Sequence, residues 1–332
     1  MIRALQIRAH ELGLAAVGLA PAIDEVREAY DWAQSVVCAA ISYLPPHFDT
    51  ASGLLSASGD QGDTPRGLVA RIARGADYHA VLREKLARLA ELISEHHPGA
   101  RLEICVDTCN LPERKLAVLS GIAWRGKNGN VFVEGCGSWV ALGEIVTDLR
   151  LEKLAELTSS AKPAEEQTDR CGNCTRCMDA CPTKAIVAPY TIDCSRCLSA
   201  LTQSSGSIHT DLRGAMGSRI YGCDICQEVC PQNADIVPSA PEFAEDTFPG
   251  AHPDLIPLIT LTAQRFREGI KDSSIGWIRR TRIRRNAAVA AGNLRCESAL
   301  PALKDMLRDE NPVLRETAEW AIKEITDSLS KS

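Results

Sequence analysis

The sequence predicts an α+β protein with an N-terminal α+β domain, a cysteine-rich segment and an all-helical C-terminal region. Up to about residue 160, apolar residues follow helical and strand-like periods in an irregular order. Nine of the fourteen cysteines then lie between residues 165 and 240, and the C-terminal residues keep a helical period throughout. We therefore place the domain bounds at 1–160, 165–240 and 255–332.

The N-terminal domain mixes helices and strands without a regular alternation. Apolar residues at helical spacing predict one helix at the N-terminus and a second over 78–95. Strands are predicted at 15–20, 36–43, 102–106, 131–133 and 139–145. We expect the last two strands to pair with each other through Gly135 and Gly137. Because no β-α-β repeat and no strand followed by G-x-G-x-x-G is present, a Rossmann nucleotide site is disfavoured.

Two polar stretches separate the predicted elements. Residues 47–68 are rich in Ser, Gly, Asp and Thr, and this composition is typical of a loop. Residues 158–170 indicate a linker between the first domain and the cysteine-rich segment. A proline-rich connection then precedes the C-terminal helices.

Seven cysteines lie in two proline-terminated runs, C-x2-C-x2-C-x3-C-P and C-x2-C-x3-C-P. In two-cluster ferredoxins the fourth cysteine of such a run binds the other cluster. This rule assigns one [4Fe–4S] cluster to Cys171, Cys174, Cys177 and Cys230. The second cluster receives Cys181, Cys223 and Cys226, and its missing ligand could be either Cys194 or Cys197. The segment is therefore predicted to be a ferredoxin-like module for two clusters.

Other uses of these cysteines are less consistent with the pattern. Zinc would satisfy two C-x-x-C pairs, but it does not explain three thiolates in one loop with a fourth sent elsewhere. A disulfide framework is disfavoured because no signal peptide is visible, which predicts a cytoplasmic protein with reduced thiols. No apolar stretch is long enough to predict a membrane span, and the net charge of −6 argues against a globally basic nucleic-acid binder.

The C-terminal region contains a helical hairpin and a local basic patch. Residues 298–307 and 312–325 have the leucine spacing and the Asp-Glu-Asn-Pro turn of a HEAT-type repeat, which should stack on a helix around 282–292. Five arginines precede that helix or lie in it: Arg279, Arg280, Arg282, Arg284 and Arg285. Such a patch can bind phosphates, although basic runs are commonly solvated helix faces.

The segments outside the cysteine runs add a family resemblance. They are ELGLAAVGLAPA at 11–22, ARGADYHAVL at 73–82, the stretch VDTCNLPERKLAVLSGIAWRGKNGNVFV at 106–133, GSWVALGEI at 137–145, DCSRCLSALT at 193–202, RIYGCDICQEVCPQN at 219–233 and RRNAAVAAGN at 284–293. In this order they resemble epoxyqueuosine reductases, cobalamin- and iron–sulfur-dependent enzymes that finish queuosine on transfer RNA.

The resemblance implies both a reaction and its participants. An epoxyqueuosine reductase reduces the epoxide of epoxyqueuosine at the wobble position of tRNA to queuosine, with electrons passing through two [4Fe–4S] clusters to base-off cobalamin in the N-terminal domain. The expected partners are the anticodon stem-loop of a tRNA carrying epoxyqueuosine and a low-potential donor such as flavodoxin or ferredoxin. We expect a monomer with no membrane partner.

The same resemblance assigns roles to single residues. It selects Cys197 over Cys194 as the eighth cluster ligand. It makes Asp107 the proton donor, for which burial beside an apolar macrocycle should raise the pKa; without the resemblance, Asp107 would be assigned to capping a turn. The implied corrin-binding residues are Tyr78, His79, Asp107, Gly126, Lys127, Asn128, Val131, Ser138 and Leu142. The arginine run from Arg279 to Arg285 is expected to contact anticodon-stem phosphates.

Two other functions fit parts of the pattern. A corrinoid reductive dehalogenase would share cobalamin and paired clusters, but it usually carries a twin-arginine signal and lacks the helical tail. A ferredoxin-type electron carrier would explain the clusters, but it would assign no function to the first 160 residues.

Overall fold

The fold is described from a computed structural model of the chain, over residues 4–45, 65–107, 109–155, 169–237, 240–244, 248 and 250–330. Most of the predicted loop at 47–68 and most of the linker at 158–170 lie outside these residues. Within them, no helix combines the length and the apolar character needed to cross a membrane.

Helices and strands alternate irregularly along the chain, as the sequence predicted. The α-helices are α1 (Ala4–Glu11), α2 (Asp24–Ala29), α3 (Tyr78–His96), α4 (Glu113–Leu119), α5 (Leu151–Ala155), α6 (Arg176–Ala180), α7 (Leu198–Gln203), α8 (Thr210–Met216), α9 (Ile225–Glu228), α10 (Leu255–Ile259), α11 (Ala263–Gly269), α12 (Arg279–Asn293), α13 (Leu300–Met306) and α14 (Pro312–Leu329). The strands are β1 (Ala16–Pro21), β2 (Ser35–Ser42), β3 (Leu68–Val69), β4 (Leu102–Cys105), β5 (Trp124–Arg125), β6 (Val131–Phe132), β7 (Val140–Thr147), β8 (Ile186–Ala188), β9 (Thr191–Ile192) and β10 (Arg219–Tyr221).

The chain forms two compact units that do not coincide with the three segments seen in the sequence. The first unit comprises Met1–Phe48, Asp77–Thr175 and Cys230–Phe243, and the second comprises the rest. Residues 230–243 belong to the first unit because Asn233 bonds to Ser138 there, with its Oδ1 accepting from the Ser138 N–H at 2.8 Å. The region just before α3 belongs to the second unit because β3 pairs with β10 in parallel.

The first unit is built around a four-stranded antiparallel sheet in the order β1-β2-β7-β4. Strand β2 is buried along its whole length, because it lies between β1 and β7 and both of its faces are covered. Helix α3 covers one face. Its N-cap Asp77 accepts from the His79 N–H, and its apolar stripe, Leu82, Leu86, Leu89 and Ile93, is fully buried.

Helix α4 covers the other face of the sheet. Its residue Leu116 packs with Val36 and Cys38 of β2, and Ala117 packs with Leu142 of β7. Because side chains alternate along a strand, Leu142, Glu144 and Val146 of β7 face α4, whereas Gly143 faces α3. An acidic residue at the middle of this row, Glu144, is unexpected in the core of a sheet.

One predicted pairing is wrong. The strand at 131–133 does not pair with the strand at 139–145. Instead β6 forms a hairpin with β5, and β7 pairs with β2 and β4. At the predicted turn through Gly135 and Gly137, the structure has one isolated β-bridge, between Val133 and Gly137. The reason is that β7 needs two long partners to bury both of its edges, and these are distant in the sequence.

The second unit contains the helical C-terminal region and most of the cysteine-rich segment. Helix α12 is its centre, with α10, α13 and α14 packed in the same apolar core. The helices predicted at 298–307 and 312–325 are present as α13 and α14. Polar side chains of α12 extend to the cysteine-rich segment, where the Asn286 Nδ2 group donates to the carbonyls of Thr202 and Ile220, both at 2.7 Å.

Candidate active site and cluster-binding cysteines

Asp107 lies in the loop that joins β4 to α4 in the first unit. Its backbone has a φ of 56°, a left-handed conformation that residues other than glycine and asparagine seldom adopt. Its N–H donates to Oε1 of Glu113, the first residue of α4, at 2.5 Å. The Asp107 side chain is 58% exposed. The loop therefore holds this carboxylate outward in a constrained backbone conformation, which is typical of functional positions.

Tyr78 and His79, at the start of α3, both face Asp107. The Tyr78 hydroxyl donates to Oδ2 of Asp107 at 2.8 Å, and Nε2 of His79 lies 3.5 Å from the same oxygen. The other imidazole nitrogen, Nδ1, lies 2.7 Å from Oδ1 of Asp77. The two rings stack with centroids 4.0 Å apart. Three of the predicted site residues therefore form one cluster, and Asp77 is an additional member that the sequence reasoning missed.

The contacts within this cluster shift the pKa values of His79 and Asp107 in opposite directions. Burial alone would lower the pKa of His79, but its bonds to Asp107 and Asp77 outweigh burial and raise that pKa to about 9. The hydrogen bond from His79 lowers the pKa of Asp107; burial opposes it, and the Tyr78 bond adds to it. Among the described residues these contacts lower the pKa of Asp107, whereas the predicted rise depends on burial beside a macrocycle and stays a prediction. At neutral pH the mobile proton is on the imidazolium, between two carboxylates.

Two further carboxyls lie behind Asp107, and sequence reasoning missed both. Burial raises the pKa of Glu113 to about 7, and the nearby Asp107 charge adds to that effect. Glu144 is fully buried, and burial raises its pKa well above the usual value. No local sequence signal marks Glu144, because its burial comes from two neighbouring strands that are distant along the chain.

The remaining residues predicted to bind a corrin ring are mostly engaged with protein. The Lys127 ammonium donates to the carbonyl of Gly172 and lies 3.5 Å from that of Cys174. Ser138 is bonded to Asn233 through both its N–H and its hydroxyl. Val131 and Leu142 are buried in an apolar cluster.

In the turn that contains Gly126, the Asn128 Oδ1 accepts from the Asn130 N–H at 3.1 Å. These predicted residues therefore fit a corrin only in part. The clearest fit is the exposed Asp107 carboxylate with the donor groups of Tyr78 and His79 beside it.

The predicted cluster ligands are divided between the two units. The first unit contains Cys171, Cys174 and Cys230, and the second contains Cys177, Cys181, Cys197, Cys223 and Cys226. In the described part of the chain, no three such side chains converge as the ligands of one metal ion would. A [4Fe–4S] cluster differs from a single ion because its thiolates bind separate irons.

Within the second unit the thiols favour Cys197 over Cys194. Cys197 interacts electrostatically with both Cys223 and Cys226, whereas Cys194 is exposed. Cys181 accepts from the Ala185 N–H at 3.2 Å. Burial would raise the pKa of Cys181, but hydrogen bonds from Thr183, Ala185 and Ile186 lower it. Such N–H···S bonds stabilise thiolates, so this donor set fits iron–sulfur ligation.

A salt-bridged arginine supports the second cysteine run, and sequence reasoning did not identify it. Arg71 is buried; its N–H donates to Oδ2 of Asp224 at 2.8 Å, and its guanidinium bonds Oε1 of Glu228 at 2.6 Å. Asp224 directly follows Cys223, so these bonds fix the backbone that presents Cys223 and Cys226.

The five predicted RNA-binding arginines fall into two groups. Arg284 and Arg285 are buried: Arg284 bonds Asp309 at 2.5 Å, and Arg285 donates to the carbonyls of Leu201, Ser204 and Gly206. Arg279 is exposed, and Arg280 and Arg282 are partly exposed. A cavity of about 240 Å³ is lined in part by Arg279, Arg282 and Arg285. The buried pair therefore has structural partners, and the exposed side of the run is available to a ligand.

Comparison with known proteins gives a consistent result. A family model described as epoxyqueuosine reductase QueG (DUF1730) matches residues 24–108, and a 4Fe-4S double cluster binding domain matches residues 170–233. The epoxyqueuosine reductase of Bacillus anthracis is 35% identical over 295 residues, which cover 88% of this chain and 73% of that protein. That of Escherichia coli is 36% identical over 289 residues, covering 86% and 72%.

Solved structures extend the similarity to the fold. A crystal structure of epoxyqueuosine reductase with an epoxyqueuosine-modified tRNA-Tyr stem loop has a TM-score of 0.80 and 31% identity, and the match covers 98% of this chain and 92% of that one. A Bacillus subtilis epoxyqueuosine reductase, whose catalytic aspartate loop is swung out of the active site, has a TM-score of 0.78 and 30% identity over 98% and 92% of the two chains.

Proposed function

The chain belongs to the epoxyqueuosine reductase family, and we propose that it reduces the epoxide of epoxyqueuosine in tRNA to queuosine with Asp107 and His79 handling protons. The structural observation that supports this most directly is the Asp107, Tyr78 and His79 cluster at an exposed position of the first unit. Removal of an epoxide oxygen as water consumes two electrons and two protons. A reductase of this kind therefore needs a proton source beside its electron source.

The cluster provides such a proton source through its own residues. His79 carries a proton at neutral pH, and its Nε2 lies 3.5 Å from the Asp107 carboxylate. Transfer from His79 to Asp107, and from Asp107 to the departing oxygen, would break one N–H bond and form one O–H bond in the product. Asp77 stabilises the imidazolium and fixes the ring through Nδ1. Tyr78 holds Oδ2 of Asp107 in place.

The proposed cofactors are two [4Fe–4S] clusters and cobalamin. The clusters would be held by Cys171, Cys174, Cys177 and Cys230, and by Cys181, Cys197, Cys223 and Cys226, and they would pass single electrons. Cobalamin, when bound, would supply a cobalt centre that accepts these electrons and reduces the epoxide. Asp107, Tyr78 and His79 are the residues that we propose lie against it, and Lys127 connects the Gly126 turn to the first cysteine loop.

We propose that the exposed side of the arginine run binds tRNA. Arg279, Arg280 and Arg282 would neutralise phosphates of the anticodon stem, and α13 and α14 would act as one HEAT-like repeat beside them. A low-potential flavodoxin or ferredoxin would supply the electrons. We propose a cytoplasmic monomer.

The test of this function incubates tRNA that carries epoxyqueuosine with protein that has been reconstituted anaerobically with iron, sulfide and cobalamin. The expected product is a tRNA nucleoside that has lost one oxygen, detected by mass spectrometry. Asp107→Asn should lower the rate at least about a hundredfold, because it removes the proton-carrying carboxyl. Asp148→Asn is the control, since Asp148 accepts a backbone N–H far along the sheet. Absence of product from cluster-loaded wild-type protein would contradict the proposal.

The ligand assignment has a matched pair in the chain. Cys197→Ser should remove the signal of one cluster from the electron paramagnetic resonance spectrum and lower the iron content by up to about half. Cys194→Ser should leave the paramagnetic resonance spectrum and the iron content unchanged, because the Cys194 side chain is exposed and lies three residues before Cys197 in the sequence. Loss of iron in Cys194→Ser, with normal iron in Cys197→Ser, would reverse the assignment.

A further inference from the structure

Arg71, Asp224 and Glu228 form a salt-bridge group beside the second cysteine run. Arg71 is 6% exposed and Asp224 is 7% exposed. One guanidinium nitrogen of Arg71, Nη1, lies 2.6 Å from Oε1 of Glu228 and 3.5 Å from Oδ2 of Asp224. Charges lose hydration energy on burial, and apolar residues often replace a buried ion pair without loss of stability. Packing alone therefore does not account for charged residues at this position.

Two paired strands of the second unit bring Arg71 to the start of this cysteine run. Strand β3 pairs in parallel with β10, and the pairing continues past β3 because the Ala70 N–H donates to the Tyr221 carbonyl at 2.9 Å. The next residue on the β10 side is Gly222, where a Cβ would lie only 2.5 Å from that of Ala70. Arg71 follows Ala70, and its N–H donates to Oδ2 of Asp224 at 2.8 Å. The fold therefore fixes Arg71 beside the segment that presents the cysteines.

The two carboxylates that Arg71 contacts belong to the cysteine run itself. Asp224 directly follows Cys223 and precedes Cys226 by two residues. It interacts electrostatically with both of these cysteines. Glu228 lies two residues after Cys226. Negative charge is therefore placed next to two predicted cluster ligands, and the guanidinium of Arg71 offsets part of it.

We propose that Arg71 sets the reduction potential of the second [4Fe–4S] cluster by offsetting the charge of Asp224 and Glu228. This inference rests on the proposed function, which assigns Cys223 and Cys226 to that cluster. The redox step is the transfer of one electron from a low-potential donor protein, and no covalent bond forms or breaks. Nearby carboxylates repel an added electron, so their neutralisation makes reduction easier. Arg71 is thus a positioning residue that acts through the two carboxylates.

The test measures the midpoint potential of each cluster without tRNA. Protein reconstituted anaerobically with iron and sulfide is titrated with a chemical reductant, and electron paramagnetic resonance follows the reduced clusters. Arg71→Met removes the positive charge, so the second cluster should require a more negative potential. At a fixed potential its ratio of reduced to oxidised form should fall about tenfold, which corresponds to a shift of about 59 mV for one electron. The affected signal should be the one that Cys197→Ser removes.

Substitutions of opposite charge separate this role from a structural one. Asp224→Asn removes a negative charge and retains an oxygen that accepts the Arg71 N–H, so the midpoint should become less negative. The double variant with Arg71→Met and Asp224→Asn should lie between the two single variants. Arg71→Lys keeps the charge and should stay near the wild-type midpoint. Arg308→Met, at a side chain that is 87% exposed, should leave both midpoints unchanged.

The sign of each shift decides the outcome. A structural role alone would shift the midpoint without regard to the charge removed, so shifts in the same direction in both single variants would overturn the proposal. Unchanged midpoints would overturn it as well. If Arg71→Met does not fold or does not bind both clusters, Asp224→Asn carries the test. Absence of cluster signals in wild type would refute the proposed cofactors, whereas normal clusters with unshifted midpoints would refute only the role of Arg71.

Discussion

At the scale of single residues, the contacts of His79 favour its protonated form and those of Asp107 favour the carboxylate. The imidazolium faces Asp77 through Nδ1 and Asp107 through Nε2, and both carboxylates keep it charged. We expect wild-type kcat to decrease near pH 9, and we expect His79→Gln to lower kcat about tenfold to a hundredfold and to lack that decrease. The pH profile of kcat checks this, with His96→Gln at the other end of α3 as control.

The raised pKa of His79 also predicts that wild type and His79→Gln differ in free energy of unfolding by an amount that depends on pH. The pKa of His79 rises from 6.5 in the unfolded chain to about 9, so the protonated form stabilises the fold fully below about pH 6.5. This contribution is lost as the pH rises through 9. We expect wild type to exceed His79→Gln in free energy of unfolding by about 1–3 kcal/mol at pH 6 and to match it at pH 10. Urea denaturation measures it, and an equal difference at both pH values would contradict the ion-pair explanation.

At the scale of elements, the sequence predicted those whose signals are local. Strands β1, β2 and β4 and helix α3 were predicted because period and capping are encoded within each segment. The partner of β6 was not predictable, because pairing depends on how β7 buries its two edges. Glu113 and Glu144 were missed for the same reason. Their environment is created by strands and a helix that meet only after folding.

The packing of α3 against the sheet predicts a matched pair of glycine substitutions. A Cβ on Gly143 would lie 2.8 Å from Leu86 and 2.9 Å from Leu82, inside a packed layer. Gly143→Ala should therefore destabilise the protein by about 1–3 kcal/mol, through displacement of α3. Gly214→Ala, on the exposed side of α8 with no atom near its Cβ, should be neutral or stabilise by up to about 1 kcal/mol. Urea denaturation measures both variants, and equal unfolding midpoints for Gly143→Ala and Gly214→Ala would contradict this packing.

At the scale of the whole molecule, the chain order does not match the compact units. The C-terminal end of the cysteine-rich segment belongs with the sheet domain, and part of the first segment belongs with the helical unit. Sequence reasoning divided the chain where composition changes, whereas the units form where Asn233 meets Ser138 and β3 meets β10. The role of the basic segment RRNAAVAAGN could not be read from the sequence either. Its two arginines were predicted to contact phosphates, but they bond to Asp309 and to the carbonyls near α7.

Binding of tRNA to the whole protein should therefore depend on the exposed arginines and not on the buried pair. Replacing Arg279 and Arg282 by alanine removes charge from the cavity wall without removing the Arg285 bonds to carbonyls. We expect the plot of log K against log salt to become shallower by about 0.7–0.9 for each phosphate that is no longer neutralised. Arg308→Ala is the control, since Arg308 is 87% exposed and lies outside this run. An unchanged slope in the double variant, measured by filter binding at several salt concentrations, would place the tRNA on another surface.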